Sequence, residues 1–324
     1  MSDTITLTLR ALPDRRIDID AIATDRLVLF SHRAIAALPA RLSDLIVPHP
    51  RAPRVDGPGF GARGPVLGDL FTIDGWREGG EGGATRSGRA DILRPDASAA
   101  GAVAGPERSN LGTVRVVGDL RRIDGLGAYM AAGTLIIDGD VGCDVGRGMT
   151  GGTIEIHGSA GDGLGRAMAG GSITVSGRAG DCIGGPLPGG SRGMTGGEIV
   201  VRGDAGRDAG FCARRGLIAI GGDAGDGSAR GMIAGTVVVM GRAMGSVGLW
   251  NKHGTVVALG GAQILPSYRY ACTYRPSLIG LLFGHLRRTH HLPVDDRFVQ
   301  GRYARHCGDF SELGLGEVLT WIDA

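Results

Sequence analysis

The sequence has 324 residues, which is enough for one or two domains with a full hydrophobic core. Its 61 glycines and 5% aromatic residues are typical of a corner-rich β protein and argue against a compact α/β enzyme. The formal net charge of +2 is too balanced to indicate binding to nucleic acid or to an anionic membrane.

Targeting and membrane signals are not evident. The longest candidate apolar run, residues 278–283, is far shorter than the ~20 residues of a membrane-spanning helix. The N-terminus lacks the apolar core of a signal peptide. Five cysteines without a CxxC pair argue against a disulfide framework. We therefore expect a cytoplasmic protein.

The chain begins with a predicted strand. Residues 4–9 (TITLTL) alternate between polar and apolar types, so Ile5, Leu7 and Leu9 are expected to face inward. Residues 17–19 are apolar enough to pair with this strand.

The next segments predict a small α/β unit, a linker and a long loop. Residues 34–46 have apolar side chains at helical spacing, although Pro39 would cap or kink the helix. Residues 48–65 are rich in Pro, Gly and Arg, which is typical of a linker. Residues 66–73 predict an early strand, and residues 75–110 predict a long loop.

A repeat then follows, opened by residues 112–118 (GTVRVVG) and continuing to residue 260. Its first position is occupied by Met130, Met149, Met168, Met194, Ala213, Met232 and Asn251. Successive members are 19 residues apart, except for a step of 26 between Met168 and Met194, where seven residues around 184–190 are inserted. A fixed period near 20 is typical of a solenoid, in which each repeat packs only against its neighbours.

Each repeat predicts a short strand with one buried face. Positions +5 and +7 from the first position carry Leu135 and Ile137, Ile154 and Ile156, Ile173 and Val175, Ile199 and Val201, Ile218 and Ile220, Val237 and Val239, and Val256 and Ala258. Two-residue alternation of this kind indicates a strand. Glycine recurs at +3 and +9, where the chain is expected to turn with positive φ.

This pattern predicts an all-β fold, a right-handed parallel β-helix with about 19 residues per coil and glycine corners. A leucine-rich repeat is the competing interpretation. Its Leu and Asn spacing is absent, and a helix does not fit within the repeat.

The outward strand position is unexpectedly apolar. Position +6 holds Ile136, Glu155, Thr174, Val200, Ala219, Val238 and Val257. Five apolar members of seven indicate a covered surface, because an outward position on a free-standing solenoid should be polar. We predict that the five form a partner or intramolecular interface, covered either by a partner subunit or by the N-terminal segment around Leu45.

Residues 261–324 are expected to form a helical C-terminal cap and tail. Ser277 is suited to be the N-cap of a helix in which one face carries Leu278, Leu281, Leu282 and Leu286. A solenoid end exposes strand edges and apolar core, so this helix is the expected cap. Residues 302–321 are expected to return as a strand or loop along the side.

Recurring Asp and Met side chains have structural and chemical interpretations. Asp162, Asp181 and Asp226 share position +13 and resemble the acidic ladder of calcium-binding β-rolls. Other residue types interrupt this ladder, and Asp in a corner commonly hydrogen-bonds nearby backbone. The Met ladder is expected to fill the core and not to bind a soft metal.

The cysteines and histidines match no metal-site spacing. Cys143, Cys182 and Cys212 lie at different offsets in their repeats and are expected to be buried or half-buried thiols. The histidines at 290, 291 and 306 are expected to be surface residues of the cap. We predict no metal and no cofactor in this chain.

No catalytic constellation is evident either. The repeat accounts for the glycine-rich strings that mimic nucleotide-binding loops, and no nucleophile–base pair stands out. A β-helix enzyme acting on polysaccharide is the alternative of another class, but it would need acidic and basic clusters where the +6 row is apolar. We therefore predict a subunit that is not an enzyme by itself.

The repeat also resembles a known family. The pattern GMxGGxIxIxG followed by AGDxxG, the insertion GGPLPGGSRGM and the upstream GDLFTIDG at residues 68–75 are similar to the C-type subunit of formylmethanofuran dehydrogenase, over roughly residues 66–260. The same repeat occurs in the C-terminal domain of glutamate synthase. Glutamate synthase chemistry is disfavoured because the chain lacks amidotransferase and flavin segments. Lys252 is the only lysine, a bias that favours the bacterial form of the family, found in the formyltransferase/hydrolase complex of methylotrophs.

The resemblance implies a function in one-carbon metabolism. It implies a scaffold subunit of a hetero-oligomeric complex that moves a formyl group between a tetrahydromethanopterin-type pterin and a methanofuran-type carrier, and releases formate. The implied partners are an amidohydrolase-like subunit that carries zinc, its companion, and a formyltransferase subunit. A molybdenum or tungsten formylmethanofuran dehydrogenase is the alternative complex. The expected domains are an N-terminal α/β segment and linker at residues 1–65, the β-helix at residues 66–260, and the C-terminal cap and tail at residues 261–324.

The tail adds one further expectation. Arg275, Arg287 and Arg288, with His290 and His291, predict a local positive surface. If the carrier has an anionic polyglutamate tail, as the resemblance implies, the three arginines are candidate contacts for it. A solvated helix face is the simpler interpretation.

Overall fold

The structure is a computed structural model, and it describes residues 4–9, 16–18, 71–74 and 112–322. The predicted helix at residues 34–46, the linker at 48–65 and the loop at 75–110 lie outside these residues, as does Leu45. The elements in chain order are β1 Thr4–Leu9, β2 Ile17–Asp18, β3 Phe71–Asp74, β4 Thr113–Val117, β5 Ile123–Asp124, β6 Thr134–Asp138, β7 Thr153–Ile156, β8 Ser172–Val175, β9 Glu198–Val201, β10 Leu217–Ile220, β11 Thr236–Val239, β12 Thr255–Ala258, β13 Arg269–Tyr274, α1 Ser277–His290, α2 Asp296–Gln300, β14 Arg302–Gly308 and β15 Gly316–Ile322.

Most of these strands form one sheet of 13 strands, in the order β13-β14-β15-β12-β11-β10-β9-β8-β7-β6-β4-β1-β3. Strands β4 to β12 pair in parallel with their neighbours in this order, and β12 also pairs in parallel with β15. A second parallel ladder of single bridges joins Leu120, Val141, Ala160, Ala179, Ala205, Ala224, Ala243 and Ala262 in turn. The chain thus alternates between two ladders, and the expectation of an all-β protein is confirmed.

The alternation inside each strand has the predicted result. The side chains at +5 and +7 from Leu135 to Ala258 are buried in one continuous apolar cluster. The methionines of the first position, such as Met149 and Met168, lie in the same cluster and are 0–1% exposed, which confirms their role in the core.

The two glycine positions have different physical causes. At +3, Gly152 and Gly171 have φ of 85° and 89°, as predicted for a corner. At +9, φ is not positive beyond Gly139, so the prediction of a second positive-φ corner is wrong for most repeats. Glycine is needed there because the coils stack closely. A Cβ on Gly158 would lie 2.4 Å from the carbonyl carbon of Gly139.

Aspartates at the corners tie each repeat to the next. The carboxylate of Asp162 accepts the backbone N–H of Asp181 at 2.8 Å, and that of Asp181 accepts the N–H of Arg207 at 2.7 Å, across the seven-residue insertion. Asp226 accepts the N–H of Ser246 at 2.6 Å. The interpretation of these residues as backbone caps is confirmed.

The N-terminal strands differ in part from the prediction. Strand β1 is present, Leu7 is fully buried, and Leu9 packs against the core. Residues 17–18 do not pair with β1 as expected; they pair in parallel with β5. Strand β3 lies at the sheet edge, antiparallel to β1.

The C-terminal end corrects the expected cap. The last repeat strand β12 is covered by β15, which pairs with it from Thr255 to Ala258, and β14 and β13 follow in antiparallel order. Strands β14 and β15 agree with the expected return of residues 302–321. The helix α1 does not close the end of the stack; it lies against the outward face of the sheet.

Candidate functional site

The helix α1 covers the apolar row on the outward face of the sheet. Val200, Ala219, Val238 and Val257 are 0% exposed and share an apolar cluster with the C-terminal segment. The helix contributes Ile279, Phe283 and Leu286 to that cluster, and further members are Leu292, Val294, Tyr303 and Leu319. The cover among the described residues is therefore the C-terminal segment, which differs from both covers considered from the sequence.

The fifth predicted interface residue lies elsewhere. Ile136 is on β6, outside the apolar cluster under α1, and its side chain is half-buried. Glu155 and Thr174, the outward residues of β7 and β8, line a cleft at the end of the helix. The row is thus divided into an apolar part under the helix and a more polar part beyond it.

The buried face of the helix also differs from the prediction. Ile279, Phe283, Leu286 and His290 are buried, whereas Leu278 and Leu281 are 47% and 72% exposed. The predicted face is thus wrong at Leu278 and Leu281, whereas Leu286 is buried and Leu282 is half-buried against the same cluster, as predicted. The expected Ser277 cap is also wrong, because the N-cap is Pro276, which makes no side-chain capping bond.

Because the buried face of the helix differs from the predicted one, a histidine lies in the protein interior. His290, expected at the surface, is 4% exposed, and its Nε2 lies 2.7 Å from Oε2 of Glu198 on β9. Nε2 of His285 lies 2.8 Å and 3.0 Å from the two oxygens of the same carboxylate. The Nδ1 atom of His285 lies 3.2 Å from the Thr289 hydroxyl. One carboxylate on the sheet therefore meets two imidazoles of the helix.

The electrostatics of the cluster favour an ionised carboxylate. Burial raises the pKa of Glu198, but hydrogen bonds and charge from His290 and His285 outweigh it, so the pKa lies below the usual glutamate value. One potential ligand atom from each of the three residues lies within 4.8 Å of the other two. Among the described residues this is the group suited to hold a metal ion.

A cleft of about 170 Å³ adjoins the cluster. Its lining includes His290, His291 and Thr289 from the end of α1, and Arg202 and His157 from the sheet side. An Arg202 guanidinium N–H donates to the His290 carbonyl at 3.2 Å, which satisfies a carbonyl at the helix C-terminus. The cleft therefore has a mixed lining, with Glu155 opposite in charge to Arg202, and it is open beside the buried histidine.

The predicted basic surface is only partly present. Arg287 pairs with Asp296 at 2.7 Å and donates to the Val294 carbonyl, so it fastens the chain after the helix. Arg275 and Arg288 are exposed. The expectation of a single patch that includes His290 is wrong, because that ring faces Glu198.

The cysteines are free thiols. All five lie in the described part of the chain, none is in a disulfide, and Cys143, Cys182 and Cys212 are half-buried as expected. Burial raises the pKa of the Cys182 and Cys212 thiols, which makes them poor nucleophiles. No described helix is long and apolar enough to cross a membrane.

These features define an all-β protein of stacked parallel strands, with one long helix docked on the sheet face and a histidine–carboxylate cluster at the helix end. Among solved structures, it is similar to a chain of the formyltransferase/hydrolase complex (FhcABCD) from Methylorubrum extorquens in complex with methylofuran, with a TM-score of 0.74 and 28% sequence identity. The similarity covers 98% of this chain and 100% of that chain, and it relates this protein to that complex. No family profile and no curated protein matches.

Proposed function

We propose that this chain is the noncatalytic scaffold of a cytoplasmic formyltransferase/hydrolase complex, equivalent to the C-type subunit of formylmethanofuran dehydrogenase. The observation that carries the proposal is the full-length similarity to a chain of such a complex. The repeats are proposed to wind as a right-handed parallel β-helix with about 19 residues per coil. Residues 1–65, 66–260 and 261–324 are the proposed domains.

The proposed reaction belongs to the assembly. The complex would transfer a formyl group between a tetrahydromethanopterin-type pterin and a methanofuran-type carrier, and hydrolyse the formyl carrier to formate. An amidohydrolase-like zinc subunit with its companion and a formyltransferase subunit would perform these steps. This chain would hold them together without performing either.

A loop at the end of the stack is the surface proposed for a partner. The row of Val200 and Val238 is already covered by α1, so it does not offer a free face. Between β14 and β15, Phe310, Leu313 and Leu315 are 58%, 59% and 61% exposed. Large apolar side chains grouped at one exposed loop are typical of a protein–protein interface.

Co-expression tests the proposal. This chain, tagged, is produced with the amidohydrolase-like, companion and formyltransferase subunits and purified by size-exclusion chromatography. We expect all of the subunits in one peak that converts the formyl donor to formate. The chain alone should show neither formyl transfer nor hydrolysis. Separate elution of all the subunits would contradict the scaffold role, and capture of a molybdopterin-binding subunit would favour the dehydrogenase.

A matched pair of variants tests the partner surface. Leu313→Asp with Leu315→Asp should prevent or weaken assembly while the melting temperature of the chain stays within about 1–2 °C, because both side chains are already in solvent. The control is Leu281→Asp, which changes an even more exposed leucine on α1 and should assemble normally. Equal assembly of both variants would exclude this loop as the contact.

The arginines of the tail have a proposed role as contacts of the carrier. Arg275 and Arg288 are the exposed members, and Arg288→Ser should slow turnover of the assembled complex more at low than at high salt, since salt screens steering. Arg287→Ser would instead release the Asp296 pair and act on folding. A rate unaffected by Arg288→Ser at every salt concentration leaves only the solvated helix face.

A further inference from the structure

The cluster of Glu198, His285 and His290 has the ligand chemistry of a divalent transition-metal site. Two imidazole nitrogens and one carboxylate oxygen are ligands that Zn²⁺ accepts readily, and three protein ligands leave a fourth position for water. One potential ligand atom from each residue lies within 4.8 Å of the other two.

The supports of these ligands are rigid. Glu198 begins strand β9 in the middle of the sheet, and both histidines project from one helix that buries Phe283 and Leu286 against that sheet. The side chain of His290 is only 3% exposed, so its ring has little freedom to leave the cluster.

The second ring nitrogen of His285 is also held. Its Nδ1 lies 3.2 Å from the Thr289 hydroxyl, one helical turn onward. With a metal on Nε2, the ring carries its proton on Nδ1 and can donate it to this hydroxyl, the usual arrangement around ligating histidines; without a metal, Nε2 carries the proton and the hydroxyl can donate to Nδ1. The adjoining polar cleft would give ions and water access to the buried ring.

The cluster is satisfied without a metal as well, because each Nε2–H can donate to Glu198. The nitrogen–oxygen distances of 2.7 Å to 3.0 Å are those of hydrogen bonds. Ligands bound at ~2.0–2.1 Å in a tetrahedron lie about 3.3 Å apart, so each nitrogen–oxygen distance needs to lengthen by only a few tenths of an ångström. His285, which is 38% exposed, has room for this movement.

We propose that this cluster binds one Zn²⁺-class ion through the Glu198 carboxylate and Nε2 of His285 and His290, with water as the fourth ligand. The ion takes the place of the two N–H···O hydrogen bonds and fastens the end of α1 to β9; each Nε2 proton moves to Nδ1 of a neutral ring or is released to solvent from an imidazolium. This differs from the expectation from the sequence that the chain has no metal ligands. The proposal is independent of any partner subunit.

The test uses the full chain, stripped with a chelator and titrated with Zn²⁺ and with Co²⁺. We expect one ion per chain by calorimetry, a rise in melting temperature on addition of Zn²⁺, and the intense visible absorption of four-coordinate Co²⁺. Mg²⁺ should not compete, because it prefers six oxygen ligands.

Matched variants locate the site. His285→Gln and Glu198→Gln should each weaken Zn²⁺ binding at least tenfold, and Thr289→Ala should weaken it about tenfold through the lost support of Nδ1. His291→Gln is the control, because this exposed histidine adjoins the cleft but not the carboxylate. His285 is chosen over buried His290 so that the variant folds, and circular dichroism with the melting temperature of the stripped protein checks this.

Two results would overturn the proposal. One is a wild-type chain that takes up no Zn²⁺ at micromolar concentration. The other is uptake that His285→Gln and His291→Gln leave equally strong, which would place the ion at the thiols or other histidines. In either case the cluster only joins α1 to β9 through hydrogen bonds.

Discussion

Replacing Val238 with lysine tests whether the helix is docked by the apolar row. Val238 is on β11 and is fully buried in the same apolar cluster as Phe283 and Leu286. Removing the valine side chain from that contact loses about 1.5–3 kcal/mol of the stabilisation that its burial contributes. An ammonium without a partner adds a desolvation cost, so the total should be about 3–5 kcal/mol.

This loss of free energy should appear as more frequent local separation of α1 from the sheet. The inner cluster of +5 and +7 side chains does not contain Val238, so the stacked strands should stay folded while α1 separates from the sheet more often. Since each 1.4 kcal/mol is a factor of ten, amides of residues 277–300 should exchange with deuterium about 100-fold faster or more. Hydrogen exchange with mass spectrometry measures this directly, against residues 134–175 of the same chain.

The matched control is Ile136→Lys. Ile136 occupies the same outward position on β6 but lies outside the cluster under the helix. It should leave the exchange of residues 277–300 unchanged. If Val238→Lys also leaves that exchange unchanged, the helix is not held by this row.

Three further changes probe the corners and the end of the stack. Asp181→Ala should lower the free energy of unfolding, measured by chemical denaturation, by about 1 kcal/mol, because the Arg207 amide loses its acceptor. Asp181→Asn should retain most of the stability, and an equal loss in both variants would argue against the cap. Asn251→Leu should cost about 1–3 kcal/mol, because the buried Asn251 side chain bonds both the N–H and the carbonyl of Gly254 at 2.8 Å and 2.9 Å, and an unchanged melting temperature would contradict this. Burial raises the pKa of Asp309, but its hydrogen bonds lower the pKa by more, so the folded-state pKa lies below the usual aspartate value of 3.8. The ionised carboxylate therefore stabilises the fold above pH 3.8, and this stabilisation is lost as the pH falls through the folded-state pKa. The melting temperature should therefore fall less below pH 4 in Asp309→Asn than in the wild type, and parallel acid profiles would show that this carboxyl does not contribute.

The stacked strands could be predicted from the sequence because their physics is local. Each repeat places β-branched residues at +5 and +7, and those positions are buried from Leu135 to Ala258. The methionines and corner aspartates follow the same logic, since each contacts the next repeat: the Met149 methyl lies against the Gly171 corner, and Asp162 accepts a backbone N–H 19 residues onward. A period repeated seven times makes a short-range pattern reliable.

The candidate site could not be predicted in this way because it joins distant residues. Glu198 lies 87 and 92 residues from His285 and His290, so no linear spacing marks the group. A signal was nonetheless present. Glu198 is a carboxylate at a strand position where Thr or Ser stands in most repeats, and His290 continues the spacing of Ile279, Phe283 and Leu286.

The cover of the apolar row could not be predicted for a related reason. The row itself indicates that something lies on it, but several segments of the chain are suitable in composition. The choice of α1 depends on the path of β13 to β15, which turns the tail back over the sheet face. Topology of this kind is not encoded in the repeat.

The length of α1 limits where the protein can gain or lose repeats. Its 14 residues span about 21 Å. The five neighbouring strands that contribute to the cluster under it, from β9 through β12 to β15, span about 19 Å at ~4.8 Å per spacing, so the helix is matched to this group. An additional repeat inserted between β9 and β12 would move Glu198 one strand spacing away from His285 and His290. A repeat duplicated before β9 would leave all of these contacts intact. The docked helix therefore fixes the number of strands beneath it, and such a stack is expected to lengthen, during evolution or by design, on the N-terminal side of β9.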